Sequence, residues 1–255
     1  MGGIITIKSE YNEIRVLDSI AYHSGREIRI LQTDPLGAQS LMYLDNPPEL
    51  YSDYTKFYDL AFHWKRRAKR ALMLGGGGYC VPRHLAAARP GVGVDIVEID
   101  PEITRTARNY FRLTDREGQK IFHEDARAFI ARAAKSETPG DKYDAVFHDV
   151  FGPSYKTPYS MTTADCMADI RGSLTQGGVF IMNVISAMND AHFRGILSAV
   201  KEAFRAVALF PATYPNSPGM RQNIMIAAAA SENFPEREPE NEYMARLLAH
   251  KWVNS

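Results

Sequence analysis

From Arg70 onward the chain alternates short apolar runs with stretches of helical spacing. That alternation limits its fold more than any other feature. Runs suited to strands cover 71–74 (ALML), 93–99 (GVDIVEI), 120–124 (KIFHE), 143–149 (YDAVFHD), 178–185 (GVFIMNVI), 205–213 and 223–230. Helical spacing fills 82–88, 101–111, 126–134, 162–174 and 191–203, and Pro82 and Pro101 fall in first turns, where proline is tolerated. Strands separated by helix-length crossovers run parallel, so the pattern predicts an α/β fold of Rossmann-like, doubly wound type. That arrangement is a mostly parallel sheet with helices on both faces. The last two strands lack a helix-length gap and read as an antiparallel hairpin at one edge, with 215–222 as its loop.

The first fifty residues follow another rule. Stretches 12–21, 26–34 and 38–45 alternate apolar and polar residues between turn formers such as HSGR and DPLG, which predicts a small antiparallel β unit. NPPEL then breaks the chain before a helical stretch through Tyr54, Phe57 and Leu60. The expected organisation is a small β domain over 1–50 and a nucleoside-binding catalytic domain over 51–230. A tail with a short helix follows over 231–255.

The glycine run in LGGGGYCVPRHL sits where the first parallel strand turns into its helix. Such a turn aims main-chain N–H groups at a ligand at the carboxyl edge of the sheet. A tight turn without a ligand uses the same residues. Gly75, Gly76, Gly77 and Gly78 are the candidate cradle, since a Cβ would hold a ligand off the backbone. About 20 residues on, where such folds place an acid against ribose, stand Glu98 and Asp100. Glu98 is the ribose candidate, because Asp100 precedes Pro101 and suits a helix cap. Asp125 lies at the same edge, either facing an adenine amino group or capping the helix that opens at Ala126. Position 80 is Cys, so the dinucleotide spacing GxGxxG is not met, and a mononucleoside such as S-adenosylmethionine fits better.

Asp149 ends the fourth strand and opens DVFGPSYKTPYSMT, a loop of the length and composition of a lid or substrate loop. It is a candidate general base or amine anchor, or else a turn-starting Asp. His148 faces the other side of the strand and reads as packed. Lys156 reads as exposed, or as a contact for an anionic acceptor. The basic run HWKRRAKR (63–70) reads as a solvated helix face.

Thirty acidic residues balance thirty basic ones, so no global charge steers the chain to nucleic acid or to an anionic membrane. Two cysteines, Cys80 and Cys166, make neither a disulfide framework nor a CxxC metal site. No histidine spacing suggests a metal, no apolar run matches a bilayer, and MGGIITIKSEYNE lacks a signal-peptide pattern. The expectation is a cytoplasmic protein without a metal, acting on a small molecule.

Taken in order, these motifs resemble the spermidine synthase (polyamine aminopropyltransferase) family, from about Ser9 to Ala230. SEYNEIRV resembles its S-x-Y-Q-x-I-x-V opening, with Asn12 at the nucleoside-binding Gln. Gln39 and Tyr54 resemble the Gln and Tyr of the segment that closes over substrate. LGGGGYCVPRHL is similar to I-G-G-G-D-G-G-V-L-R-E, and VEID to the segment whose Glu holds the ribose. EDARAF resembles the adenine-meeting G-D-G/A turn, and DVFGP resembles D-S-S-D-P, whose first Asp accepts a proton. TYPNSPGMRQNIMIA places Tyr214 at an amine-contacting tyrosine.

The resemblance implies a nucleoside site of Asn12, Gln39, Gly75 to Gly78, Glu98, Asp125 and Ala126, with Asp149, Tyr54 and Tyr214 as catalytic residues. It implies S-adenosylmethionine or its decarboxylated form as co-substrate, a small-molecule amine acceptor, and a homodimer or homotetramer. Two departures qualify it. Gly78 stands where the family's Asp contacts the donor's aminopropyl group, and Gly152 where an Asp anchors the distal amine of a diamine. Losing both charge-assisted contacts weakens diamine binding by about two to four decades. The expected activity is aminopropyl-type transfer to an amine that is not a simple short diamine. The rivals are an S-adenosylmethionine-dependent methyltransferase, favoured by less negative charge beside Gly78, and a nucleoside-binding homologue without turnover.

Overall fold

The computed structural model describes residues 3–34, 37–213 and 217–252. The chain opens with an antiparallel meander, β1 (Ile5–Lys8), β2 (Glu13–Ile20), β3 (Glu27–Gln32) and β4 (Ser40–Tyr43), in that spatial order. The sequence predicts only the last three. β1 is an edge strand with three of its four residues exposed, so it carries no buried face for a pattern to record.

The helical stretch that follows is broken into α1 (Asp53–Lys56), a 3₁₀ turn at Phe57–Asp59 and α2 (Leu60–Trp64). The expected solvated face at 63–70 is corrected here, because the helix stops at Trp64, and His63 and Trp64 are both buried. His63 Nδ1 lies 2.8 Å from Glu240, and the Trp64 ring stands 4.3 Å from that of Phe234, so the C-terminal tail covers this end of the helix.

The alternating elements then run β5 (Arg70–Leu74), α3 (Cys80–Ala88), β6 (Gly93–Val97), α4 (Pro101–Tyr110), β7 (Gln119–Phe122), α5 (Ala126–Ala134) and β8 (Tyr143–His148). They continue with α6 (Ala164–Ser173), β9 (Leu174–Ser186), α7 (Ala191–Ala203), β10 (Ala206–Pro211), β11 (Gln222–Ala229) and α8 (Glu242–Ala249). The seven strands form one sheet of order β10-β11-β9-β8-β5-β6-β7. β5 to β9 pair in parallel, and β11 runs antiparallel between β9 and β10, as the short connection predicted. Side-chain carboxylates or hydroxyls cap the helices where the sequence offers them: Asp100 accepts from the Glu102 N–H, Asp125 from Ala128 and Thr163 from Cys166.

Strand alternation splits the core into two layers. Ala71 and Met73 of β5, with Val179 and Ile181 of β9, pack on one face; Leu72 and Leu74, with Phe180 and Met182, pack on the other. The first layer also takes in Ile14, Val16, Leu31 and Met42 of the small sheet and Met244 and Leu247 of α8. The β meander and the C-terminal helix thus cover the same face of the large sheet. Among the described residues, no helix is long and apolar enough to cross a membrane.

Candidate active site

Strand order fixes where a ligand can enter. From β5 the chain winds outward through β6 to β7, whereas from β8 it winds the other way to β9. The carboxyl ends of β5 and β8 therefore flank the switch point, where open α/β sheets hold their ligands. The glycine loop leaves β5 and Asp149 leaves β8, and the two touch: the Asp149 N–H donates to the Leu74 carbonyl oxygen at 2.9 Å. The crevice is closed from above by the small sheet, giving a cavity of about 740 Å³. Five carboxylates line it (Glu13, Asp34, Glu98, Asp125 and Asp149), and among the described residues no Lys, Arg or His does.

The glycines answer to the protein's own chain. Gly75 has φ +92°, and a Cβ there would collide with the Asp149 carbonyl oxygen. A Cβ on Gly76 would lie 2.7 Å from the Tyr79 ring, and one on Gly77 2.9 Å from Ser40 Oγ. Gly75, Gly76 and Gly77 line the cavity, but the close approach that demands glycine is of chain to chain. Gly78 is a correction. It does not line the cavity: its N–H donates to Ser40 Oγ at 2.8 Å, and a Cβ would stand 2.8 Å from Ser40 Cβ and 3.2 Å from Phe111. The next residue, Tyr79, takes a left-handed conformation (φ +54°) that glycine adopts more readily, with its hydroxyl anchored 2.7 Å from Thr104 Oγ1.

Glu98 sits beneath this loop. Its carboxylate accepts from the N–H groups of Gly76 (2.9 Å), Gly77 (3.3 Å) and Asp100 (3.0 Å). Burial pushes its pKa up, and these three N–H groups pull against that rise. Asp100 lies fully buried and caps α4, while it also accepts from Ser9 Oγ (2.6 Å) and Asn12 Nδ2 (3.0 Å). Asn12 reaches the cavity wall by this bond, which ties the small sheet to the large one. Gln39 also lines the cavity, and its Oε1 is buried without a partner, an acceptor in need of a donor. Asp125 caps α5 and borders the cavity beside Ala126, so both of its readings have a structural footing.

At the other end Asp149 accepts from Asn183 Nδ2 (2.9 Å) and from the Tyr54 hydroxyl (3.3 Å). Asn183 is oriented in turn by Asn223, whose Nδ2 donates to Asn183 Oδ1 at 3.0 Å. Burial raises the Asp149 pKa to about 6, against the pull of Asn183, Tyr54 and Tyr58. His148 is fully buried on the far face, as expected, and burial depresses its pKa to about 4. The loop after β8 bends at Ser154 (φ +57°) and Tyr155 (φ +56°), two consecutive left-handed residues with side chains. Lys156 is exposed. Tyr214 lies outside the described residues.

Sequence reasoning missed Asn183, Asn223 and Ser40. Asn183 did leave a signal, since a lone amide inside the apolar run GVFIMNVI calls for a buried partner. Ser40 left none: its contact with Gly78 joins residues 38 positions apart, one on the small sheet and one in the loop after β5.

An open, mostly parallel sheet with a crevice at its switch point has the fold of the S-adenosylmethionine-dependent methyltransferases. The spermine/spermidine synthase domain matches residues 55–237. A polyamine aminopropyltransferase of Vibrio vulnificus is 26% identical over 225 residues, covering 80% of this chain and 74% of that one. A probable spermidine synthase from Corynebacterium glutamicum superposes with a TM-score of 0.76 at 22% identity, over 98% of this chain and 87% of the other. Human methyltransferase-like protein 13, in complex with SAH, shares the fold with a TM-score of 0.58 at 20% identity, over 78% of this chain and 86% of its own. The chain belongs to the spermine/spermidine synthase family, and it is a transferase.

Proposed function

We propose that the protein transfers an aminopropyl-type group from decarboxylated S-adenosylmethionine to an amine that is not a simple short diamine. The observation that carries this reading is Asp149, which stands at the switch point with a pKa of about 6 in a cavity that, among the described residues, no cationic side chain lines. A carboxylate with that pKa is ionised at neutral pH and takes a proton from an ammonium more readily than an ordinary Asp does. The amine nitrogen forms a bond to the carbon beside the sulfonium, the carbon–sulfur bond breaks with its electron pair going to sulfur, and the amine proton passes to Asp149. Because the sulfonium is already activated, the chain's tasks are alignment and proton removal. Tyr54 and Asn183 hold the carboxylate toward the cavity. Glu98, with Asn12 and Gln39 above it, would receive the nucleoside.

The same charge pattern bears on the donor. Intact S-adenosylmethionine carries a carboxylate, which would meet five carboxylates and, among the described residues, no cation. The case for it rested on less negative charge beside Gly78, a residue that does not line the cavity.

The test incubates each donor with mixed amines and identifies the nucleoside released. Methylthioadenosine from the decarboxylated donor, reduced at least about a hundredfold in Asp149→Asn, is the expected result. Release of S-adenosylhomocysteine from the intact donor would replace this reading with methyl transfer. No release from either donor would leave a binding protein without turnover.

A further inference from the structure

Asn183 interrupts the apolar run FIMNVI of β9, and Asn223 precedes the apolar run IMIAAA of β11. The two strands run antiparallel with Asn183 opposite Met225 and Asn223 opposite Ile185. The amides are therefore diagonal neighbours on one face of the sheet, within reach of each other. That face carries Ile181 and Met225 of the core layer shared with the small sheet, and where it meets the cavity both amides line the wall. Asn183 is 1% exposed, so its amide must find partners inside the protein. It has two: Nδ2 donates to Asp149 Oδ1 at 2.9 Å, and Oδ1 accepts from Asn223 Nδ2 at 3.0 Å.

These bonds have one consistent sense. An ionised Asp149 can only accept, so Asn183 must turn its NH2 group to the carboxylate, and its oxygen then needs a donor on the other side. Asn223 is that donor. Turning Asn183 over would set oxygen against carboxylate and NH2 against NH2, so Asn223 locks the amide as a donor to Asp149. The other titratable groups that face Asp149 are the hydroxyls of Tyr54 on α1 and Tyr58 in the 3₁₀ turn, and the thiol of Cys80 on α3. Burial raises the pKa of each, so all three stay neutral while Asp149 titrates.

We propose that Asn223 is a positioning residue which, acting through Asn183, holds Asp149 as an ionised base. This rests on the reading of Asp149 as the proton acceptor and extends it to a chain of three residues that reaches from the end of β8 across β9 to β11. Without Asn223 the Asn183 amide is free to turn, and the carboxylate loses its steady donor.

The deciding measurement is the titration of the Asp149 carboxyl by NMR, on protein isotopically labelled at the Asp carboxyl carbon, with the resonance identified by its absence in Asp149→Asn. Asn223→Leu keeps a branched side chain but has no donor, and it should raise the midpoint from about 6 by about one pH unit. In an Asn183→Ala background the same substitution should move the midpoint less than about half as far, because the route through Asn183 is already gone. Asn223→Ala serves in its place should the Leu variant fail to melt cooperatively. In the product assay the Asn223 variant should lose about fivefold in kcat/KM near pH 6 and less than about twofold near pH 8.5, whereas a merely structural defect lowers both alike. A midpoint unmoved or lowered by Asn223→Leu, or moved half as far or more when Asn183 is already Ala, overturns the proposal. The titration needs no turnover, so the absence of any released nucleoside would sink the functional reading while these midpoints still decided the role of Asn223.

Discussion

The two ends of the cavity are built differently. At the nucleoside end, the two buried carboxylates are tied to main chain and to each other's neighbours: Glu98 accepts from three N–H groups, and Asp100 joins Ser9 and Asn12 to the start of α4. At the acceptor end, the loop runs through two strained left-handed residues, the Tyr155 hydroxyl is buried without a partner, and the base is held by side chains alone. Main-chain bonds tolerate sequence change, because any residue supplies an N–H. Side-chain bonds do not. The nucleoside end is therefore the part a family can keep while its acceptor end is rewritten.

The largest effect expected of this difference lies at Asp149. With a folded pKa of about 6, the base loses its charge as pH falls through 6, so kcat/KM should decline tenfold per pH unit below that value. Stability runs the other way. A carboxyl raised from 3.8 binds more protons folded than unfolded, so its contribution is greatest below pH 3.8 and is lost as pH rises through 6. Asp149→Asn removes that titration, and at pH 7.5 it should stabilise the fold by about 1–2 kcal/mol, once water in the cavity is allowed for. A variant inactive and no more stable than the parent would show that the acceptor end stores no such cost.

Two glycines sharpen the contrast at a smaller scale. Gly78 is packed against Ser40 and Phe111, whereas a Cβ on Gly152 meets only the Lys156 carbonyl oxygen, at an ordinary 3.6 Å. Gly78→Asp should cost about 1–3 kcal/mol in denaturant unfolding and bring no gain in donor binding, since Ser40 must move. Gly152→Asp should fold as well as the parent and bind 1,4-diaminobutane about tenfold more tightly. The opposite ranking would mean that the packed end adapts and the open end does not.

Much of this was legible before any coordinates. The strand–helix alternation gave the parallel sheet and its edge hairpin, and the order of motifs placed Gly75, Glu98 and Asp149 at one edge. The rest depended on contacts between residues far apart in sequence. Nothing near Gly78 announces Ser40, and β1 has no apolar face to show. The run at 63–70 looked like a basic helix because the tail residues that cover its start at His63 and Trp64, Glu240 and Phe234, lie some 170 positions later. Local pattern finds elements; it does not find what covers them.

The smallest expected effect asks whether the nucleoside end owes its order to an ion pair behind it. His84 lies on α3, whose first turn follows the glycine loop, and its ring stands between two acceptors. Nδ1 is 3.1 Å from the Pro48 carbonyl oxygen, and Nε2 is 3.2 Å from Asp59 Oδ2. Neither acceptor has a proton to give, so both ring nitrogens must donate and the imidazole is charged. Asp59 also accepts from the Tyr243 hydroxyl of α8 at 2.8 Å, so one carboxylate joins α3, the 3₁₀ turn after α1, and the C-terminal helix. Burial works against the charge on His84, but the Asp59 bond and charge outweigh it and raise the pKa above 6.5. The stability from this pair is thus complete below pH 6.5 and lost as pH rises through the higher folded value. Thermal melts from pH 6 to 8.5 should show the parent losing about 1 kcal/mol relative to His84→Gln, which starts less stable but falls less steeply. The Asp149→Asn variant removes the titration at the other end of the cavity, so the same series in that background reads the His84 step alone. Parallel curves for parent and variant would mean that the glycine loop stands without support from α8.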